Sequence, residues 1–476
     1  MTEELANTST EKLVRAVGFW GLVAMCINAV VGSGVFLLPT ESYKLLGPFS
    51  LWAPLIFALP VFILVLCFAE AASHFSEPGG AYLYARTAFG DFVGFETGWM
   101  NWLARVTSLA ALSNGFVVSL ARFFPALALK TDSASRAGSS FFFFTADGHF
   151  VLDFSLGGFS PRDLFTPRIA VILISIAILT AIHYVGVKYG AASIYVFTLG
   201  KLIPLVGFIV VALVAWKHNP IPASLTIPGA GTDWSGAALF MLFAYAGFEN
   251  MGVPAGEFRN PKKELPRALL VGTLAIAAIY VLAQLGAMSA LPDLSKTATP
   301  IADAAAALIG SAGAIIVTLG ALLSMAGTNS GTVLEGSRML YAISLGRPRL
   351  RAVSYVHPRF RTPTVAILIH VLFAAVLACA GSFAKLAMLS AVARLTTYLF
   401  TCAAVPFLRK LNEGFRTPGL IIPILGTAIS LALFLTLNAY NFIAAAIALA
   451  VGAVIYAVSY QGGGAEPQIG LPGGVA

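Results

Sequence analysis

Val31-Gly32-Ser33-Gly34-Val35 interrupts the apolar run 17–40 close to its middle. Glycine weakens a helix wherever it falls in the interior, and Gly-Ser-Gly in mid-run marks a point where a helix can unwind. A second interruption, Ala244-Tyr245-Ala246-Gly247-Phe248-Glu249, falls within the run 234–255. Either one alone also reads as a close helix–helix contact. Unwound backbone at membrane depth is tolerated only where it lines a cavity or is buried by protein. Two such breaks at matching places in a chain point to paired repeats around a central binding site.

Working outward, the composition fixes the solvent. Hydrophobic residues make up 58% of the 476-residue chain and charged residues 11%. Soluble domains carry about 25% charge, so this surface is built for lipid. Spans fall at about 17–40, 50–73, 89–123, 167–184, 191–216 and 234–255, then 267–291, 310–344, 364–381, 384–408, 420–437 and 440–460. The reading is an all-α polytopic membrane protein of about 12 transmembrane helices. Residues 17–216 would hold helices 1–5 as a first inverted repeat and 234–408 helices 6–10 as a second, with discontinuous helices 1 and 6. Helices 11 and 12 follow at 420–460. The two halves share no convincing identity, so the repeat rests on spacing. A long external loop at about 125–166, with Phe141–Phe144 in a row, has no assigned role. Residues 1–16 form a polar cytoplasmic segment without signal-peptide character, and 461–476 a Gly- and Pro-rich tail expected to be disordered.

The net charge of +8 is a topology signal rather than a nucleic-acid footprint. Roughly 16 Lys/Arg fall in alternate gaps that share one side, against about 9 in the opposite gaps. The rich side holds Lys12, Arg15, Arg259, Lys262, Lys263, Arg267, Arg347, Arg349, Arg351, Arg359, Arg361, Arg409, Lys410 and Arg416. Both termini are therefore expected in the cytoplasm, with the chain in the inner (cytoplasmic) membrane. Cys26, Cys67, Cys379 and Cys402 all lie in apolar runs and read as small buried hydrophobes, not a disulfide or metal set.

A helix that stops and restarts presents amide N–H groups at its new start and carbonyls at its old end. The first attract an anion and the second a cation. A zwitterionic amino acid fits such a pair. Amides around Gly32, Ser33, Gly34 and Val35 would hold its carboxylate, and carbonyls near Val30, Phe243 and Ala246 would accept from its ammonium.

These residues resemble a known family. Gly32-Ser33-Gly34-Val35-Phe36 with Pro39 is similar to the first-helix signature of the amino acid–polyamine–organocation (APC) superfamily of permeases. Pro78-Gly79-Gly80-Ala81-Tyr82 and the segment Phe89-Gly90 to Trp99 are similar to its loop before helix 3. Phe243 to Glu249, with Glu257, Asn260-Pro261 and Pro266-Arg267-Ala268, resembles its sixth-helix signature. Arg338, Tyr341 and His357-Pro358-Arg359 are similar to the stretch closing helix 8. The resemblance covers about residues 15 to 460. It implies a five-plus-five inverted repeat and alternating-access transport of an amino acid, proton-coupled or by exchange. By the same resemblance Phe243 matches an aromatic gate over the substrate, the other reading being ordinary packing.

Ionisable residues at membrane depth are candidates by default, since each costs several kcal/mol unless paired or hydrated. By resemblance to sodium-independent permeases, Lys201 would occupy the space of a sodium ion between helices 1 and 8 and serve coupling. Its other reading is a permanent tie between helices 1 and 5. Glu249 reads either as an acceptor for unwound backbone or as a carboxylate that titrates during gating. Arg105 stands where family members usually have a small residue facing the substrate. It would favour a second substrate carboxylate, unless Glu249, Glu70 or Glu335 neutralises it and leaves a site for neutral amino acids. Asn329, Ser330 and Gly331 stand at the matching depth of helix 8, and Arg394 of helix 10 reads as structural or gate-forming.

The rival functions are a sodium-coupled symporter, a non-transporting amino-acid sensor and a membrane enzyme. An enzyme would need a catalytic cluster, and the six histidines (His74, His149, His183, His218, His357, His370) are dispersed without metal spacing. No enzymatic activity, cofactor, metal or nucleic-acid partner is expected. The expected partners are a small-molecule amino acid, membrane lipid and protons, in a monomer or homodimer.

Overall fold

The computed structural model describes residues 17–75, 79–127, 142–144, 150–152, 166–185, 190–215, 229, 232–253, 258–345, 347–411 and 414–459. The expected N-terminal segment, the C-terminal tail, Pro78, Glu257 and most of the 125–166 loop lie outside them.

Span 1 is two helices, α1 (Phe19–Val30) and α2 (Gly34–Leu46), bent by 44° at the Val31-Gly32-Ser33 break. Next come α3 (Ala53–Ser73), a nine-residue helix α4 (Ala81–Phe89), α5 (Asp91–Leu120), α6 (Pro167–Val185) and α7 (Gly190–Ala215). The second half holds α8 (Trp234–Tyr245), α9 (Pro261–Ala290), α10 (Pro300–Ser344), α11 (Thr364–Ala380) and α12 (Phe383–Leu408). The chain closes with α13 (Ile421–Leu435) and α14 (Ala439–Ser459). Among the described residues, eight helices are long and apolar enough to cross a bilayer, α1–α2 form one bent span, and α8, α11 and α13 are shorter apolar helices. Together they make the twelve spans, numbered below in chain order. In the long loop, β1 (Phe142–Phe144) pairs antiparallel with β2 (Phe150–Leu152).

Three boundaries differ from the hydropathy reading. Span 6 stops as an α-helix at Tyr245, and beyond the break only a 3-10 turn, Phe248–Asn250, is helical. Span 8 is prolonged backwards by a helical lead-in from Pro300, joined at a kink where Ile309 and Gly310 leave helical geometry. The segment after Gly79-Gly80 is the helix α4, packed on α5 and α12. Glycines at φ +56° and φ +90° bracket it, which permits the sharp entry and exit.

The packing separates core from periphery. In α5, 78% of the most apolar window is buried inside the protein, against 17% in α14. Span 3 is therefore the axis of the structure and span 12 faces lipid. The pairings also recur when five is added to each span number. Span 2 packs on span 7, span 3 on span 8 and span 4 on span 9, each pair mapping onto itself. Span 5 packs on span 8 as span 10 does on span 3, and span 2 on span 10 as span 7 does on span 5. A shift by an odd number of spans reverses direction across the bilayer, so this is the packing of an inverted repeat.

The two breaks press on each other. A Cβ on Gly34 would stand 3.0 Å from the Ala244 Cα, and one on Gly247 would stand 2.5 Å from the Ala29 carbonyl oxygen. Gly247 also has φ +135°, which side-chain-bearing residues rarely adopt. Gly247→Ala is expected to cost at least about 1–3 kcal/mol, read as a lower unfolding temperature in detergent. Gly207→Ala inside α7, where nothing lies within 4 Å, should leave that temperature unchanged or raise it.

Candidate functional site

The breaks face a small cavity at the centre of the fold. Ala29, Val30, Gly32, Ser33 and Gly34 line it from span 1, and Phe243 and Ala246 from span 6. Arg105, Ser108 and Leu112 come from α5, Thr328 and Thr332 from α10, and Arg394 from α12. Five spans thus converge on one small chamber whose walls mix apolar groups with hydroxyls and two guanidiniums.

The geometry of span 1 determines what the chamber offers. The N–H groups of Phe36 and Leu37 both return to the Ser33 carbonyl. Among the described residues, no acceptor pairs with the N–H of Ser33, Gly34 or Val35. The Ser33 hydroxyl is buried and equally unpartnered, as is the Thr328 hydroxyl oxygen. Three amides at a helix start and two hydroxyls thus face one concavity, an arrangement that can attract an anion, with the dipole of α2 adding to it.

The carbonyls at the end of α1 are mostly occupied. Lys201 of α7, fully buried, donates through Nζ to the carbonyls of Asn28 (2.8 Å) and Val31 (2.7 Å). The Ser324 hydroxyl of α10 lies 3.0 Å from the carbonyls of both Val31 and Gly32. Lys201 Nζ and the Ser324 hydroxyl therefore share the Val31 carbonyl at the end of α1. The Tyr280 hydroxyl of α9 bridges the two breaks, 2.7 Å from the Ala244 carbonyl and 3.2 Å from that of Val30.

Under the chamber lies a charge cluster. Glu249 accepts from the Arg105 guanidinium, from Arg394 Nε (2.7 Å), from the Gly247 N–H (2.7 Å) and from the Tyr398 hydroxyl (3.4 Å). Arg105 Nη1 also reaches Glu335 Oε2 at 3.2 Å. Arg394 donates its remaining N–H groups to Ser390 and, at 2.8 Å, to Ser108. Two guanidiniums face two carboxylates, so the cluster closes on itself electrically. Glu70, the other acidic candidate, is elsewhere, bound by Arg409 at 2.5 and 3.0 Å and by Thr417.

Of the residues singled out in the sequence, Val30, Gly32, Ser33, Gly34, Arg105, Phe243 and Ala246 meet at the cavity. Lys201 and Glu249 stand directly behind it. Asn329 and Gly331 do not reach it. Asn329 Nδ2 donates to Ser113 Oγ at 3.2 Å, and a Cβ on Gly331 would meet only Glu335 Oε1, 3.9 Å away. The helix presents Thr328 and Thr332 instead, four residues apart on one face. Their spacing is visible in Thr328-Asn329-Ser330-Gly331-Thr332, but the register is not. Phe243 packs edge-on against Phe383 with 6.1 Å between ring centres, and the Arg394 guanidinium lies 6.0 Å from its ring.

Residues 17–463 match the profile of the family described as amino acid permease. The chain belongs to that family. This permease is 27% identical over 416 residues to the serine/threonine exchanger SteT of Bacillus subtilis (strain 168), covering 86% of each chain. It is 28% identical to the branched-chain amino acid permease BcaP of the same organism over 467 residues, covering 95% of this chain and 94% of that one. It is 29% identical over 346 residues to a putative arginine/ornithine antiporter of that organism, covering 68% of each.

In this permease Glu249 is the shared acceptor of two buried guanidiniums. Glu249→Gln leaves them undercompensated and is expected to cost about 3–5 kcal/mol. The check is the unfolding transition of the detergent-purified protein, and an unshifted transition would show that the cluster is not what holds spans 3, 6 and 10 together.

Proposed function

We propose that this permease is a secondary active transporter that carries amino acids across the cytoplasmic membrane by alternating access, without sodium, driven by protons or by exchange. The observation that carries this reading is the set of unpaired amides at Ser33, Gly34 and Val35 opening, with the Ser33 hydroxyl, onto the central cavity. Burying such donors in hydrocarbon without a partner costs free energy that a bound carboxylate would return. The amino acid's ammonium would sit toward the carbonyl ends at Val30, Phe243 and Ala246, and Phe243 would cover it as a gate. The excess of basic residues in alternate gaps supports cytoplasmic termini.

The pocket favours a short, neutral side chain. Arg105 is engaged by Glu249 and Glu335 and so offers no spare charge to a second substrate carboxylate. The remaining walls are Ala29, Ser108, Leu112, Thr328, Thr332 and Phe243, small, hydroxylated or apolar. Exchange agrees with the names of two of the relatives, a serine/threonine exchanger and a putative arginine/ornithine antiporter. Sodium independence is supported by the Lys201 ammonium at the carbonyls of Asn28 and Val31.

The experiment is a thermal-shift screen of purified protein against the common amino acids, followed by counterflow of the labelled hit in liposomes. Small neutral amino acids should stabilise the protein by about 2–3 kcal/mol at a hundredfold excess over Kd, and aspartate and glutamate should not. Counterflow should persist when choline replaces sodium and be lost in Gly34→Leu, whose side chain would fill the approach to Ala244. Sodium-dependent uptake would favour a symporter with a true ion site. Binding without counterflow would favour a sensor.

A further inference from the structure

Glu249 and Glu335 share one guanidinium but are held very differently. Glu249 is fully buried and accepts from Arg105, Arg394, the Gly247 amide and Tyr398. Glu335 has one donor, Arg105 Nη1 at 3.2 Å, and its side chain is 25% exposed, against 6% for Arg105 and 3% for Arg394. The space beside it is open, since a Cβ on Gly331 would find nothing nearer than Glu335 Oε1 at 3.9 Å. Glu335 lies nine residues before the end of α10, which closes on the membrane face from which the chain starts, because span 8 is even-numbered. Of the four charged groups in the cluster, it alone combines a single hydrogen bond among the described residues, at 3.2 Å, with a partly exposed side chain.

The two carboxylates also belong to different packing groups. Glu335 rides on α10, which packs along α5, the helix that carries Arg105. Glu249 follows α8, which packs mainly on α2, α12 and α3. Arg105 therefore joins its own neighbour at one end of the guanidinium and span 6 at the other. We propose that Glu335 is the carboxylate that loads and releases the coupling proton, and that its charge decides how strongly Arg105 holds span 6. With Glu335 ionised, the guanidinium is divided between two anions. With Glu335 carrying a proton on its carboxyl oxygen, Arg105 has Glu249 as its one anionic partner and ties span 3 to span 6 next to the broken segment that lines the cavity. The step is a proton transfer between water and a carboxylate, with no other bond made or broken.

The surrounding charges are compatible with this. Arg105 faces Glu335 from α5, and Glu249 and Arg394 complete the cluster from span 6 and α12. On α10 itself Arg338 donates to the Leu334 carbonyl at 3.2 Å. His183 of α6 is bonded to Ser330 at 2.8 Å, and His370 of α11 packs against Gly336. Lys201 of α7 is engaged at the break, about three helical turns away along α10.

The inference rests on the transport reading above only for its biological use, and the test separates the two. Purified wild type, Glu335→Gln and Glu335→Asp are titrated by infrared difference spectroscopy, and initial uptake of labelled L-alanine into liposomes is measured at about pH 6 and about pH 8. The expected result is a protonated-carboxyl signal in wild type that disappears in Glu335→Gln and moves in Glu335→Asp. Uptake should be several-fold faster at the acidic pH in wild type and pH-independent in Glu335→Gln, with Glu335→Asp retaining the dependence. An unchanged infrared signal in Glu335→Gln, or a pH profile that superimposes on wild type, overturns the assignment. If wild type carries no alanine while the signal behaves as expected, Glu335 keeps its proton and the transport of that substrate is what fails.

Discussion

Hydrocarbon offers a peptide group no hydrogen-bond partner, and this constraint governs the centre of the permease. By opening span 1 at Val31-Gly32-Ser33 and span 6 at Ala246-Gly247, the chain releases donors and acceptors that must all be met within the protein or by a ligand. The acceptors are met from inside: Lys201 and Ser324 take carbonyls of span 1, and Tyr280 joins both breaks. The Gly247 amide turns to Glu249. Among the groups left facing the cavity are the donors at Ser33, Gly34 and Val35. Donors so placed suit a carboxylate.

The charge cluster under the cavity follows from the same break. Glu249 is fixed two residues beyond Gly247, where it can accept that amide, and a carboxylate so deep needs cations. Arg105 and Arg394 supply them from α5 and α12, which pack extensively on one another through the core. Glu335 then balances the second guanidinium. The arginine of span 3, which in isolation reads as a receptor for an acidic substrate, is consumed by this balance. The chamber it borders is consequently suited to a zwitterion with no further charge.

Membrane character, the twelve spans and the two breaks were legible because each is local, a matter of hydropathy over twenty residues or glycines within five. Lys201 stood out for the same reason, as a lone charge in an apolar run. What was not legible depended on register or on distant partners. Span 8 turns Thr328 and Thr332 to the cavity and Asn329 to Ser113, a rotation that one residue of helical phase decides. Tyr280 looks like any tyrosine in span 7 until the two breaks are brought to within its reach. The helix α4 was hidden because Gly79-Gly80 and Gly90 read as loop, whereas they cap a short helix held by α5 and α12. The abrupt end of span 6 at Tyr245 escaped the hydropathy window, since the residues that follow are as apolar as those before.

The central claim is that bare peptide amides at the start of α2 hold the substrate's carboxylate. The most direct measurement is a density map of the protein with a stabilising amino acid bound. The account predicts the carboxylate oxygens within about 3 Å of the Ser33, Gly34 and Val35 nitrogens, with the side chain toward Thr328 and Phe243. A carboxylate paired instead with Arg105, or a span 1 that runs as one continuous helix through Gly32-Ser33, would contradict it.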